Sequence, residues 1–338
     1  MTANIDGAGQ AVTTDAIPIS ELGDGHEFFQ GFVVANTEMF GICGKVEFFA
    51  RNEQYRTILI EGQTGTGKEL LAKLVFNRSG KRGENRHIFN CANVYHSVFD
   101  SDLFGHRRGS FTGAERDRKG ILEAANHGFL FLDEVSRLSP NKQAKLLRFL
   151  ENGTVRPLGT NEEIPLDVRL VIATNQDLGI LVAEGKFLPD LYYRISKIRC
   201  RVPPLSERLD EIRPLVKTFA RNLGVGHQSI ESSSLDFLMS NPWPGNVREL
   251  ESVVERAVFR CQYERREVIG ISKEDVYPPE KSTVHTLLSP KEFRRQEIMK
   301  ALAEAGGNKS KAAEILGISR SVFYRRIQRN CPDLFDFS

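Results

Sequence analysis

A chain of 338 residues, 40% hydrophobic and 27% charged, is long enough to bury a sizeable core and to divide into two or three domains. No run approaches the roughly 18 apolar residues a membrane span needs, and the polar, acidic start from Met1 to Asp24 carries no basic-then-apolar leader, so a cytoplasmic protein without a membrane partner is expected. The five cysteines, Cys43, Cys91, Cys200, Cys261 and Cys331, are odd in number, far apart and without CxxC or Cys/His spacing, which argues against a disulfide framework or a zinc site; a net charge of +2 says little about partners.

Residues 1 to about 28 carry Gly, Ala, Thr and Asp without an apolar period and read as a flexible tail or a short interaction arm, too short for a sensory domain. From about Phe29 to Pro204 apolar runs alternate with helical patterns, as a parallel sheet with crossover helices requires. Strands are predicted at Thr57–Ile60, His87–Asn90, Gly128–Leu132 and Val168–Thr174. The expected fold class is therefore α/β for residues 29–204, followed by smaller helical parts.

Directly after the first strand comes Gly62-Gln63-Thr64-Gly65-Thr66-Gly67-Lys68-Glu69, a GxxxxGK loop running into the helical pattern Leu70-Leu71-Ala72. Glycines let backbone N–H groups turn onto phosphate oxygens, the helix N-terminus adds partial positive charge, and Lys68 can bridge terminal phosphates, so ATP is the expected ligand. An incidental glycine turn is the bland alternative. Glu69 stands where the motif usually supplies a hydroxyl for magnesium, so metal ligation must lean on another carboxylate and on water.

Further on, Gly109-Ser110-Phe111-Thr112-Gly113-Ala114 can form a surface tip, mobile at its glycines, that shows one large apolar ring to solvent and suits a moving partner contact; a buried hairpin is the alternative. The apolar strand ending in Asp133-Glu134, the Walker B arrangement, lies about 65 residues after Lys68. Asp133 would hold the magnesium-water shell and Glu134 would polarise the attacking water; a simple helix cap is the other reading of two acids after a strand.

From Leu209 to about Arg260 the pattern turns helical, with Ile212, Leu215, Val216 and Phe219 on one stripe and a new helix after Trp243-Pro244-Gly245, which makes residues 205–264 a small helical lid. Residues 265–290 include Pro278, Pro279, Glu280 and Lys281 and read as a linker. The end, 291–338, is basic: Lys291 to Asn330 holds ten Lys/Arg against four Asp/Glu. Within it, Asn308 to Ile327 reads as helix, glycine turn, helix, with Ala313, Ile318, Val322, Phe323 and Ile327 on the packed seam. Lys309, Arg320, Ser321, Tyr324, Arg325 and Arg326 are placed to meet base edges and phosphates; a basic helix that merely packs on the ATPase is the alternative.

The stretch Asp102 to Ala114 closely resembles the surface-loop signature of sigma-54-dependent transcription activators, the bacterial enhancer-binding proteins. Phe89–Ala92, Gln143–Leu150, Val168–Asn175, Asp190–Arg194 and Trp243–Leu250 match the same family in order, covering about residues 30–260, and the C-terminal pattern resembles its Fis-type helix-turn-helix. The resemblance implies an AAA+ core that assembles into a ring, usually hexameric, hydrolyses ATP with magnesium at subunit interfaces, binds upstream enhancer DNA and remodels the closed complex of sigma-54 RNA polymerase holoenzyme. It implies that Phe111 and Thr112, within the Gly109–Ala114 loop, touch the sigma factor. It implies further that Asn90 is the switch partner of Glu134, Asn175 a strand-end sensor, Arg248 a sensor in the lid, and Arg194 an arginine supplied to a neighbour's site.

Two departures stand out. Ser110 replaces the alanine more usual in that loop, and Leu188 replaces a second arginine six residues before Arg194. The loss at Leu188 points to a mixed ring with a related subunit or to slow basal hydrolysis. Control is expected from a separate regulatory protein or from expression level. A DNA-binding repressor whose ATPase module senses nucleotide is the competing reading; an AAA+ chaperone or protease subunit is disfavoured by the DNA-binding end.

Overall fold

The computed structural model describes residues 16–29, 32–79, 85–92 and 99–276, with short pieces at 4–5, 11–12, 305 and 309–315. The chain separates into two units, Met1–Val276 and Tyr277–Ser338.

The first unit is built on a five-stranded sheet. Its strands are β1 (Thr57–Glu61), β2 (Arg86–Asn90), β3 (Phe129–Asp133), β4 (Arg169–Thr174) and β5 (Arg199–Arg201). They lie in the order β5-β1-β4-β3-β2, every neighbour parallel. The four expected strands are present. The fifth was not singled out because its sequence, Arg-Cys-Arg, buries only Cys200.

Helices cover both faces, which is why β3 and β4 read as continuous apolar runs. On one side pack α1 (Thr37–Arg51) and α2 (Lys68–Arg78), with Val46, Phe49, Leu71 and Val75 against Ile58, Phe129 and Val171. On the other pack α3 (Phe99–Phe104), α4 (Pro140–Asn152), α5 (Leu178–Ala183) and α6 (Pro189–Ile195) over Leu59, Leu130 and Ile172. Asn36 caps α1 by accepting from Glu38 N and Met39 N.

The lid follows on helices α7 (Ile212–Asn222), α8 (Ser232–Ser240) and α9 (Asn246–Tyr263). The stripe Ile212, Leu215, Val216 and Phe219 is buried against Leu250, Val254 and Trp243, and α9 opens right after Trp243-Pro244-Gly245 as expected.

Two expected boundaries are corrected. Residues 16–24 are not a free tail: Ala16–Pro18 pairs antiparallel with Ser229–Glu231 in a three-stranded lid sheet. Ile19 (0% exposed) and Leu22 (2%) sit in the lid core. Lys217 Nζ donates to Ser20 O at 2.8 Å and pairs with Asp24 at 2.7 Å. The absence of an apolar period misled because a three-residue edge strand and two anchors are too short to display one. The lid also runs past residue 264, since Val268–Ile269 joins the same sheet and Lys273–Val276 forms a helix whose Asp275 pairs with Arg260.

In the second unit the described helix Lys309–Ile315 coincides with the first helix expected there, and Ala312 and Ala313 are buried. Arg320, Ser321, Tyr324, Arg325 and Arg326 lie outside the described residues.

Candidate active site

The C-terminal ends of β1, β3 and β4 meet at one edge of the sheet, where parallel α/β folds place their ligands. The strand order puts β4 between the phosphate loop on β1 and the acids on β3, so Asn175, just past β4, falls between them.

The loop Gly62–Gly67 leads directly into α2. Gly65 and Gly67 adopt φ of +79° and +103°, the left-handed region where only glycine is unstrained. A side chain at Gly65 would also run into the Gly245 carbonyl of the lid. Lys68 is buried and its Nζ donates to the carbonyls of Gly62 (2.8 Å) and Gln63 (3.0 Å). Burial pulls its ammonium pKa down, with Glu134 and Asp133 opposing. Glu69 turns outward to Lys73, 2.8 Å away along the helix surface.

Asp133 ends β3 in register with Asn90 on β2. Its Oδ1 accepts from Glu134 N at 3.0 Å and its Oδ2 from Asn90 Nδ2 at 3.3 Å. Asn90 therefore partners Asp133 here rather than Glu134. Paired residues of neighbouring strands share a sheet face, whereas Glu134 lies past the strand end in a left-handed conformation (φ +57°) that swings its side chain elsewhere. Burial pushes both carboxyls above the usual range; the adjacent Asp133 charge adds to the shift on Glu134, while Lys68 moderates both.

Asn175 Nδ2 donates to Thr64 Oγ1 at 3.2 Å. Two buried polar atoms of the site, Glu134 Oε2 and Asn175 Oδ1, have no hydrogen-bond partner. Orphaned acceptors beside a phosphate loop are what a site awaiting water or ligand presents. Among the described residues no three His, Cys, Asp or Glu side chains converge as a metal cage. A divalent ion would need ligands from a bound phosphate, with Asp133 as the protein carboxylate.

The lid closes over the loop. Asn246, fully buried with φ +56°, donates to Gln63 Oε1 (3.2 Å) and Thr64 O (3.0 Å) and accepts from Leu205 N (2.8 Å). The Arg248 N–H donates to Gly65 O at 3.3 Å, leaving its exposed side chain to act on Asp133 and Lys68 through charge. Arg208 reaches Thr66 O at 2.8 Å. Sequence reading missed Asn246 and Arg208 as site residues: Asn246 stood only as part of the Trp243–Leu250 match, and Arg208 sits in the charged stretch Glu207–Glu211 that looks like surface.

Arg194 does not join this cluster. Its guanidinium donates to Leu150 O at 2.8 Å, in the last turn of α4. Leu188 caps α6, its N–H held by Gln143 Oε1 at 2.8 Å and its side chain packed on the core.

Elsewhere on the unit, Gly109–Ala114 forms turns closed by Gly109 N to Ala114 O (2.8 Å) and Ala114 N to Phe111 O (3.0 Å). Phe111 is 41% exposed, with its other side edge-on to His106 at 5.0 Å. A hairpin of Thr154–Val155 and Ile164–Pro165 supports the loop, through Arg107 N to Leu158 O (2.9 Å) and through Ser110 packed on Gly159. This hairpin was not expected from sequence.

A phosphate loop, two acids one strand removed and a helical lid gripping the loop define an AAA+ ATPase-type domain. Comparison with known proteins agrees: residues 33–201 match the sigma-54 interaction domain, 206–276 the AAA+ ATPase lid domain, and 289–329 the bacterial regulatory protein Fis family. The chain belongs to the sigma-54-dependent transcription activators.

It is 41% identical over 310 residues to the formate hydrogenlyase transcriptional activator of Salmonella typhimurium, covering 88% of this chain and 44% of that protein. It is 36% identical over 307 residues to the transcriptional regulatory protein ZraR of Escherichia coli, covering 88% of this chain and 68% of ZraR. The chain thus spans under half the length of the first relative. NtrX from Brucella abortus, solved with ATP, aligns with a TM-score of 0.65 and 27% identity over 94% of this chain and 71% of NtrX. Among the described residues no helix is long and apolar enough to cross a membrane.

Proposed function

We propose that this chain is an ATP-hydrolysing, DNA-binding activator that remodels the closed complex of sigma-54 RNA polymerase holoenzyme through the Gly109–Ala114 loop. The observation that carries the reading is that Lys68, Asp133, Glu134 and Asn175 converge, with two orphaned acceptors among them, on the same unit that exposes Phe111 on a supported loop.

In this reading Gly62–Lys68 cradle the phosphates, and Lys68 exchanges the loop carbonyls for terminal phosphate oxygens. Asp133 would hold magnesium partly through water, and the ion, when bound with the nucleotide, would offset phosphate charge. Glu134 polarises the attacking water, with Asn175 and Arg248 orienting the phosphate end and Asn90 holding Asp133. Arg194 stands apart from its own subunit's cluster, which favours a role in a neighbour's site and so a ring, homomeric or shared with a related subunit. Phe111 and Thr112 contact the sigma factor, with Gly109, Ser110, Gly113 and Ala114 shaping the loop. The Fis-type end, with Lys309 and the basic residues beyond it, binds upstream enhancer DNA, and a separate regulatory protein supplies control.

Mixing the protein with sigma-54 and ATP bearing a transition-state mimic of the γ-phosphate tests the proposal. A stable complex that Thr112→Ala abolishes is the expected result. No complex, even with related subunits added, would leave the nucleotide-sensing repressor favoured, a reading to which only Leu188 lends weight.

A further inference from the structure

The phosphate loop is held from outside at every carbonyl from Gly62 to Thr66. Lys68 takes the first two, at Gly62 and Gln63. The lid side takes the next three: Asn246 Nδ2 binds Thr64 O at 3.0 Å, the Arg248 N–H binds Gly65 O at 3.3 Å, and Arg208 Nη2 binds Thr66 O at 2.8 Å. In a trans peptide the carbonyl and the following N–H point in opposite directions. Fixing the carbonyls of Thr64 and Thr66 toward the lid therefore turns the amides of Gly65 and Gly67 the other way, toward the space a phosphate would take, while the Thr66 N–H is held within the loop by Gln63 O at 3.4 Å.

Of the three lid donors only Arg208 brings charge into this position, and it does so while buried, at 4% exposure. A buried guanidinium carries a desolvation cost that simple packing does not require. Glu211, 1% exposed, balances it at 2.6 Å. The other oxygen of Glu211 accepts from Ala35 N (3.2 Å) and Asn36 N (3.3 Å), at the start of α1. Arg208 is thus oriented from the core side and from the loop side at once. Arg208 sits between two short 3-10 turns, Leu205–Glu207 and Leu209–Glu211, and Glu211 ends the second; the turns join β5 to α7 and so form the bridge between core and lid.

We propose that Arg208, oriented by Glu211, is a positioning residue that presets the phosphate loop for a nucleoside triphosphate and couples loop geometry to lid position. Rotation of the lid about the 205–211 turns moves the Arg208 guanidinium, and the Thr66 carbonyl moves with it. The inference rests on the nucleotide reading proposed above.

Calorimetric titration of the full chain with ATP, and separately with adenosine, tests it. Adenosine carries the same base and ribose but brings no phosphate to the loop. Arg208→Ala is expected to weaken ATP binding by about 10- to 100-fold, the range for losing a charge-assisted hydrogen bond, with adenosine binding unchanged. Arg208→Lys, a cation that can meet only one of the two partners, should recover part of the ATP affinity, and it reports the same ratio should the alanine variant fail to fold. Equal weakening of ATP and adenosine, or no change in either, would overturn the proposal. A wild-type chain that binds no ATP, indistinguishable from Lys68→Ala, sinks the nucleotide reading and this inference with it.

Discussion

Arg107, at the root of the Gly109–Ala114 loop, is joined to Glu162 on the neighbouring hairpin by an ion pair of 3.0 Å. Both side chains reach solvent, so the pair contributes about 1 kcal/mol or less to stability. Its consequence is local: with Leu158 bonded on both sides, it makes loop and hairpin one body. Glu162→Ala should leave the melting temperature nearly unchanged while speeding amide hydrogen exchange across residues 107–114. Unaltered exchange there would show that the backbone bonds to Leu158 suffice.

The half-buried pair Asp133 and Glu134 opposes folding at neutral pH. An acid whose folded-state pKa is raised stabilises the fold when protonated, and that contribution is lost as pH rises through the folded-state value. In nucleotide-free, metal-free protein, Glu134→Gln should therefore raise the melting temperature at pH 8, and the gain should shrink as pH is lowered toward the carboxylate range. The same variant should lose ATP turnover, the usual conflict between site chemistry and stability. A gain in melting temperature that does not change with pH would place its origin elsewhere.

Arg169 opens β4 beneath the end of α1. It donates to the carbonyls of Phe49, Ala50 (2.9 Å), Asn52 (3.1 Å) and Tyr55 (3.0 Å), between the rings of Phe49 and Phe129. Burial pulls its pKa down to about 10, so it stays charged at neutral pH. A lysine cannot span four carbonyls, and Arg169→Lys should cost about 2–4 kcal/mol in denaturant unfolding. A loss below 0.5 kcal/mol, roughly that of a surface change, would mean water replaces the guanidinium.

Because Ile19 and Leu22 belong to the lid core, Ile19→Ala should destabilise the protein by about 2–5 kcal/mol, the cost of a buried large-to-small change. It should also expose residues 16–24 to limited proteolysis. Wild-type resistance and stability would restore the free-tail reading.

Leu188 gives the proposed ring its own test. The purified chain alone should turn over ATP slowly, and Leu188→Arg should raise turnover by about tenfold or more where rings assemble, since an arginine at this kind of position stabilises phosphoryl charge. Fast hydrolysis by the unmodified chain at the same concentration would remove the argument for a mixed ring.

What could be read from the sequence was what is written in neighbouring residues. The phosphate loop, the apolar strand ending in Asp133-Glu134, the lid stripe and the break at Trp243-Pro244-Gly245 are local patterns, and strand and helix periodicity framed each one. Tertiary structure decided the rest, because those partners are far apart in the chain. Arg208 lies 142 residues from Thr66, Asn246 183 from Gln63, and Lys217 197 from Ser20. No spacing rule reaches so far. Asn90 met Asp133 rather than Glu134 because strand register sets which side chains share a face, and residues 16–24 became part of the lid because a lid strand offered an unpaired edge. The sequence alone thus singled out candidate groups for the chemistry; only the packed fold determined which of them hold one another in place.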